Sequence, residues 1–373
     1  AALWTAAAWA TPQKSPGQPP AARAQVTVVV GGLDHPWSMA FLPGGGVLIT
    51  ERPGHLRLLR APGGLSKPLG GVPKVAAQGQ GGLLDVALSP DFARDRYVYL
   101  SYAESDGSRS GTAVGRGRLS ADAGALEDFQ VLFRQAPKLS QGQHFGSRLV
   151  FDGKGHLFIS LGENNQRPTA QDLDKLQGKV VRLAPDGSVP PDNPFVGKAG
   201  ARPEIWSYGH RNPQGMALNP WTGVLWENEH GPQGGDELNI IERGKNYGWP
   251  LATHGINYSG LQIPEATGTA APGMEQPYHV WEKSPALSGM AFHVNQASSK
   301  WNNSLFLGAL SGRALIRLSL DGERIRGEER LLTQLDERIR DVRATPDGLL
   351  YVVTDEDDGR LLQITPPGMS AKP

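Results

Sequence analysis

The chain reads as an all-β protein, a six-bladed β-propeller of four-stranded antiparallel blades, on three observations. An apolar run, a turn rich in Pro, Gly, Asp or Asn, and a second apolar run recur six times along 373 residues. Within these runs the apolar side chains alternate with a period of two, which in an extended backbone sends neighbours to opposite faces. Helical spacing is nearly absent, with one short turn expected over residues 171–176. A β-sandwich accounts for the hairpins but not for their sixfold recurrence at roughly 45- to 75-residue intervals, the spacing of blades with loop insertions.

Each copy carries its own turn chemistry. In 39–50 the break is Leu42-Pro-Gly-Gly-Gly46, and in 86–100 it is Ser89-Pro-Asp91. The third copy, 149–160, turns at Asp152-Gly-Lys-Gly155, and the fourth, 216–226, at Asn219-Pro-Trp-Thr-Gly223. The fifth runs from 290–293 to 305–308, and the sixth, 342–353, turns at Thr345-Pro-Asp-Gly348. Proline presets φ for the first turn position and glycine accepts positive φ, so each break ends a strand for a physical reason. The valine-rich stretch 26–30 is expected to pair with 361–365 and close the ring.

Propellers of this length form a single domain, so 25–367 is expected to be one unit between a flexible leader, 1–24, and a short tail, 368–373. Residues 1–10 are small and apolar, like the back half of a secretory signal, and Ala22-Arg-Ala24 is a second cleavage-like site. The Pro-, Ala- and Gln-rich stretch between them is too poor in apolar side chains to pack. A periplasmic or secreted location is the expectation. No run approaches the roughly 20 apolar residues of a transmembrane segment. Lys plus Arg equals Asp plus Glu at 37 each, so there is no basic footprint for nucleic acid. With no cysteine, disulfides, thiolate metal sites and a Cys nucleophile are excluded.

Chemistry concentrates in Tyr208-Gly-His-Arg-Asn-Pro-Gln-Gly215, Glu229-His-Gly-Pro-Gln-Gly-Gly-Asp-Glu237 and Gly244-Lys-Asn-Tyr-Gly-Trp-Pro250. Structural loops need Gly and Pro, but not Arg, imidazole and carboxylate packed beside them. In a propeller the loops flanking the inner strands converge on one mouth, so these clusters are expected to meet Gln80, His144, Glu163 and Arg338-Ile-Arg-Asp341. Paired arginines suit carboxylates because the guanidinium is a planar, bidentate donor.

With Gly79-Gln-Gly-Gly-Leu-Leu84, Gln141-Gly-Gln-His-Phe-Gly-Ser-Arg148 and the loop motifs above in order, the chain resembles the soluble pyrroloquinoline-quinone (PQQ) dependent sugar dehydrogenases. The resemblance is to the aldose sugar dehydrogenase branch of the soluble glucose dehydrogenase family, over about residues 26–366. It implies oxidation of an aldose at the anomeric carbon to a lactone, hydride transfer to PQQ, and electrons passed to an external quinone, cytochrome or dye. Gln80, Arg211, Asn212, His230, Arg338 and Arg340 would hold the cofactor, with Arg211 supporting charge that develops on the reacting carbonyl. His144 would be the general base, oriented by Glu163. The glucose-specific relatives carry an acidic residue where Gln143 stands and an aspartate where Glu163 stands.

The resemblance also implies calcium. Gly231 and Pro232 would offer carbonyl oxygens to the ion at the cofactor, and Glu237 with the Tyr247 carbonyl would hold a second one. Relatives place a lysine on the cofactor from blade five, where this chain reads Ala309-Leu-Ser-Gly-Arg313, so Arg313 or Lys283 would replace that charge. Tyr278 and Trp281 would border the sugar, and Gln80 would contact it as well as the cofactor. A chain shorter than the glucose-specific enzymes implies trimmed loops and a broad range of aldoses. Two rivals remain: a calcium-dependent propeller lactonase or esterase, which needs several carboxylates on its metal but no paired arginines, and a non-catalytic extracellular binding propeller. The arginines argue against the first, and Gln80, His144 and Arg211 together against the second.

Overall fold

Six four-stranded antiparallel sheets follow one another around a ring in the computed structural model, which describes residues 23–60, 62–140, 142–294 and 300–369. The leader and tail read from the sequence fall almost wholly outside these residues. The chain enters on β1 (Gln25–Leu33). Blade 1 is then β2–β5 (Pro36–Phe41, Val47–Glu51, His55–Arg60, Gly64–Leu65), and blade 2 is β6–β9 (Leu83–Leu88, Tyr97–Ser105, Ser110–Leu119, Leu126–Arg134). Blade 3 is β10–β13 (Leu149–Phe151, Leu157–Leu161, Lys179–Leu183, Ile205–Tyr208) and blade 4 is β14–β17 (Pro213–Leu218, Leu225–Glu229, Asp236–Ile241, His279–Trp281). Blade 5 is β18–β21 (Leu287–His293, Ser304–Ala309, Ala314–Asp321, Arg324–Leu331), and β22–β24 (Ile339–Ala344, Leu350–Thr354, Gly359–Thr365) begin blade 6.

Each repeat found in the sequence is the inner hairpin of one blade. The ring closes as expected: β1 pairs with β24, Val26 opposite Ile364 and Val28 opposite Leu362, as the fourth strand of blade 6. The period of two has a direct cause, because both faces of a blade are buried against its neighbours. Leu48 packs toward blade 2 while the adjacent Ile49 packs toward blade 6. Val180 and Val181, or Phe306 and Leu307, divide between two seams in the same way. Burial of alternate side chains in two hydrophobic seams is what holds the ring together.

Two local features depart from the sequence expectation. The helical turn expected over 171–176 lies earlier, at Arg167–Gln171, where Pro168 in the first turn presets the helical φ. One α-helical turn, Phe92–Asp95, occupies the bend of blade 2. Among the described residues no helix is long and apolar enough to cross a membrane.

Antiparallel order starts every innermost strand, and ends every second strand, at the same end of the ring. Between β16 and β17 a long insertion returns to that end. It docks there through Tyr247 N–H to the Tyr208 carbonyl (2.8 Å) and Trp249 N–H to the Gly209 carbonyl (2.9 Å). Beneath the mouth, inner-strand charges close the channel. Arg148 lies 3.3 Å from both Asp85 and Asp341, and Arg343 lies 3.2 and 3.1 Å from the same two carboxylates.

Candidate active site at the mouth of the ring

A pit opens at this end, lined by Trp37, Arg52, Gln80, Phe145, Gly146, Asn212, Gln214, His230, Leu310, Arg338 and Arg340. These residues come from all six blades, from the first residues of innermost strands and from the loops that precede an innermost strand or follow a second strand. Of the residues expected from the sequence, Gln80, Asn212, His230, Arg338 and Arg340 face one space. His144 and Arg211 stand directly beside it.

His144 is held from both sides. Its Nδ1 lies 2.8 Å from Glu163 Oε1, both groups being buried. Its backbone N–H donates to Gln80 Oε1 at 2.9 Å. The longer glutamate arm at 163 therefore reaches the imidazole. An ionised Glu163 accepts the Nδ1 proton, leaving Nε2 with its lone pair. The backbone is built for this: His144 has φ of 49°, and a Cβ on Gly162 would sit 1.8 Å from the His144 carbonyl oxygen. Only glycine lets the two loops approach so closely.

Arg211 and Asn212 are presented by a carboxylate that the sequence reading did not single out. Glu229 Oε2 accepts both backbone N–H groups, at 2.5 and 3.3 Å. The Arg211 guanidinium donates to the His230 carbonyl (3.3 Å) and lies 5.3 Å from the Trp249 ring centre, with Nε left without a partner among the described residues. Asn212 Oδ1 accepts from Gly146 N–H (3.1 Å), which ties blade 4 to the His144 loop. His230 donates Nε2–H to the Leu287 carbonyl. Burial, reinforced by Arg211 and Arg340, lowers its pKa to about 4 and keeps it neutral.

Asp355 organises the arginine pair. It binds Arg340 directly, accepts from His35 Nδ1 at 2.9 Å and lies 3.7 Å from Arg338. Burial alone would raise its pKa, but Arg340, His35 and Arg338 outweigh that and hold the carboxyl well below the usual range. Arg340 also donates to Gln214 Oε1 (3.2 Å), and its Nε has no partner among the described residues.

The Gly231-Pro232 bend is fixed by Asp236, whose Oδ1 accepts Gly231 N–H at 3.0 Å and whose Oδ2 accepts Leu287 N–H at 3.1 Å. Among the described residues neither the Gly231 nor the Pro232 carbonyl accepts a hydrogen bond. That is the donor chemistry a hard cation requires. Behind the bend, Glu227, Glu229, Glu237 and Asn239 share one face of β15 and β16, where Glu229 pairs with Glu237 and Glu227 with Asn239. His210 Nδ1 lies 3.1 Å from Glu229, and its ring stacks on Tyr247 at 4.9 Å. Burial, with the charge of Glu229 added, pushes Glu227 and Glu237 well above the normal carboxylate range. Among the described residues Glu227 Oε1 and Asn239 Oδ1 have no partner.

Four expected residues lie elsewhere. Arg313 turns to the rim, toward Asp336 and Glu356 at 3.7 Å each. Lys283 faces a neighbouring cleft with Gly231, Pro232 and Tyr258 rather than the pit. Tyr278 and Trp281 belong to the outermost strand of blade 4 and its approach, and neither lines the pit. The Tyr278 ring packs on Trp226 at 5.2 Å, and Trp281 Nε1 donates to Glu328 of blade 5 at 2.9 Å. The aromatic surfaces of the pit are instead Trp37 and Phe145.

The family described as Glucose / Sorbosone dehydrogenase matches residues 33–363. The chain is 58% identical over 364 residues to the aldose sugar dehydrogenase YliI of Escherichia coli, covering 97% of this chain and 96% of that one. The crystal structure of the E. coli soluble aldose sugar dehydrogenase in its apo form superposes with a TM-score of 0.91 at 60% identity, over 92% of this chain and all of the other. The PQQ-bound aldose sugar dehydrogenase of Streptomyces coelicolor matches at 0.76 and 30% identity, over 93% of this chain and 99% of that one. A family match across nearly the whole ring, with majority identity over almost the full length, places the chain in the glucose/sorbosone dehydrogenase family, among the PQQ-type aldose sugar dehydrogenases.

Proposed function

We propose that the chain oxidises aldoses at the anomeric carbon to lactones, with PQQ in the pit and electrons leaving to an external acceptor such as a quinone, cytochrome or dye. The observation that carries this is the buried His144–Glu163 pair beside a pit that gathers arginines from separate blades. When bound, the quinone supplies an electrophilic carbonyl that takes hydride from the sugar carbon. His144 Nε2 takes the proton of the anomeric hydroxyl, and Glu163 stabilises the imidazolium that results. Gln80 holds the His144 backbone in place and leaves its own amide N–H groups for a ligand.

The residues present fit a flat tricarboxylate. Arg338, Arg340 and Asn212 line the pit, and the unpartnered Nε atoms of Arg211 and Arg340 are donors in want of an acceptor. Arg211 serves charge growing on the quinone oxygen. The free carbonyls of Gly231 and Pro232 suit calcium beside the cofactor. A second calcium would belong with Glu237 and the Tyr247 carbonyl; Glu227 and Glu229, also buried, share the β15–β16 face with Glu237. Without aromatic walls from Tyr278 and Trp281 the mouth makes few demands on a sugar, which favours breadth among aldoses.

The test is reconstitution of purified protein with PQQ and calcium, followed by glucose and an electron-accepting dye. Dye reduction that needs both additions is expected, whereas no reduction with any aldose removes the dehydrogenase reading. His144→Ala should lower turnover by about 10²- to 10⁴-fold, the usual range for a general base, while PQQ still binds. Turnover at the wild-type rate would reject His144 as the base.

A further inference from the structure

We infer that Arg52 is a further anion-binding residue of the pit, contributed by blade 1 to a carboxylate of the cofactor. The inference rests on the PQQ reading above. Arg52 lines the pit with Arg338 and Arg340, and among the described residues its guanidinium has neither an ion-pair nor a hydrogen-bond partner. A cation with no intramolecular task, standing beside two others, adds repulsion unless an anion arrives.

Its placement is built by the fold. Pro36 pairs with Glu51 as Pro213 pairs with Glu229 and Leu287 with Ala309, so Arg52, His230 and Leu310 occupy the same position in blades 1, 4 and 5. That position faces the pit in all three. The Arg52 backbone is pinned on both sides, its N–H donating to the His35 carbonyl (3.1 Å) and its carbonyl accepting from Leu83 N–H (3.0 Å). Gly82 makes room: a Cβ there would lie 2.0 Å from the Arg52 carbonyl oxygen and 2.8 Å from its Cγ.

Charge arithmetic points the same way. Arg338 and Arg340 share Asp355, so one carboxylate already offsets part of their charge. Arg313 and Lys283 do not line the pit. Arg52 is the pit arginine whose full charge remains for a multiply anionic ligand, and its planar fork suits a carboxylate.

The experiment is equilibrium titration of apoprotein with PQQ, in calcium, for wild type, Arg52→Gln and Arg52→Lys. Arg52→Gln should weaken PQQ binding about ten- to hundredfold, the scale of a lost charge-assisted hydrogen bond. Arg52→Lys should recover part of that loss, and the melting temperature should stay at the wild-type value because no internal partner is lost. With the methyl triester of PQQ, which lacks the carboxylate charges, wild type and Arg52→Gln should bind alike. Unchanged PQQ affinity in Arg52→Gln overturns the assignment, as does unchanged affinity accompanied by a higher sugar KM, which would turn Arg52 toward substrate. Wild-type protein that fails to bind PQQ overturns this inference and the cofactor reading together; loss of the Arg52 effect alone leaves the latter standing.

Discussion

The buried contact of His144 Nδ1 with Glu163 Oε1 is what selects the tautomer of the imidazole, because a carboxylate at that point can only accept from Nδ1. Glu163→Gln keeps the shape but permits the amide N–H₂ to face the ring, which favours a proton on Nε2 and blocks base action. Turnover should fall by about tenfold or more with PQQ affinity unchanged, and equal loss of both would mean a collapsed loop instead. Asp355 acts at the same scale on the arginines. Because its folded pKa lies below the ordinary 3.8, its stabilisation is complete above that pH and is lost as pH falls below it. Urea midpoints of wild type should therefore drop on acidification from pH 4 toward 2, and Asp355→Asn should flatten that slope. His144, Gln80, Arg211 and Arg340 were legible in the sequence because each sits in a motif beside a repeat. Asp355 and Glu229 were not singled out: they act through the arginine and the backbone amides they hold, and a lone carboxylate at a strand end carries no pattern. The place of Tyr278 and Trp281 on the outermost strand and its approach was not legible, because spacing within a blade does not say which strand is innermost.

At the level of elements, the inner hairpins were legible and the outer strands much less so. Inner strands are buried on two faces and alternate cleanly, whereas β9 buries only two of its nine residues and β21 none of its eight, and both lose the pattern. The loop after β11 shows what sequence could not reveal. Lys179, wholly buried, donates to the carbonyls of Thr169 (3.0 Å), Ala170 (3.2 Å) and Gln177 (2.6 Å), and so anchors the Arg167–Gln171 turn downstream of Glu163. Burial lowers its pKa from 10.5 to about 7. The unfolded chain therefore binds this proton more tightly than the folded one between those values, and stability should rise as pH climbs through that window. Lys179→Met should remove this rise while costing about 1–3 kcal/mol for the carbonyls left unpaired. Thermal unfolding at pH 7 and pH 9.5 checks both, and a Met variant that keeps the full wild-type rise would place its origin elsewhere.

On the scale of the whole ring, two devices keep six similar blades from sliding apart. One is the closure of β1 on β24, legible in the valine run near the start of the described chain. The other is the charge plug beneath the pit, which links blades 2, 3 and 6 through Asp85, Arg148, Asp341 and Arg343, with Ser38 of blade 1 donating to Asp85 at 2.5 Å. Arg148 also donates to the Gln214 carbonyl of blade 4 (2.9 Å) and stacks 4.3 Å from the Trp37 ring centre, so the floor of the site and the hub of the fold are one structure. Desolvation lowers the Arg148 pKa and raises that of Asp341, the expected strain of charges taken out of water. Such a cluster holds only while its charges match. Arg148→Met leaves Arg343 alone against two buried carboxylates, and should cost about 3–5 kcal/mol. Adding Asp341→Asn removes the excess charge, so the double variant should be more stable than Arg148→Met alone, although Asp341→Asn in wild type should itself destabilise. Chemical unfolding of the four proteins gives the coupling directly. Additive losses would mean that Arg148 matters for its packing on Trp37 and not for the charges it joins.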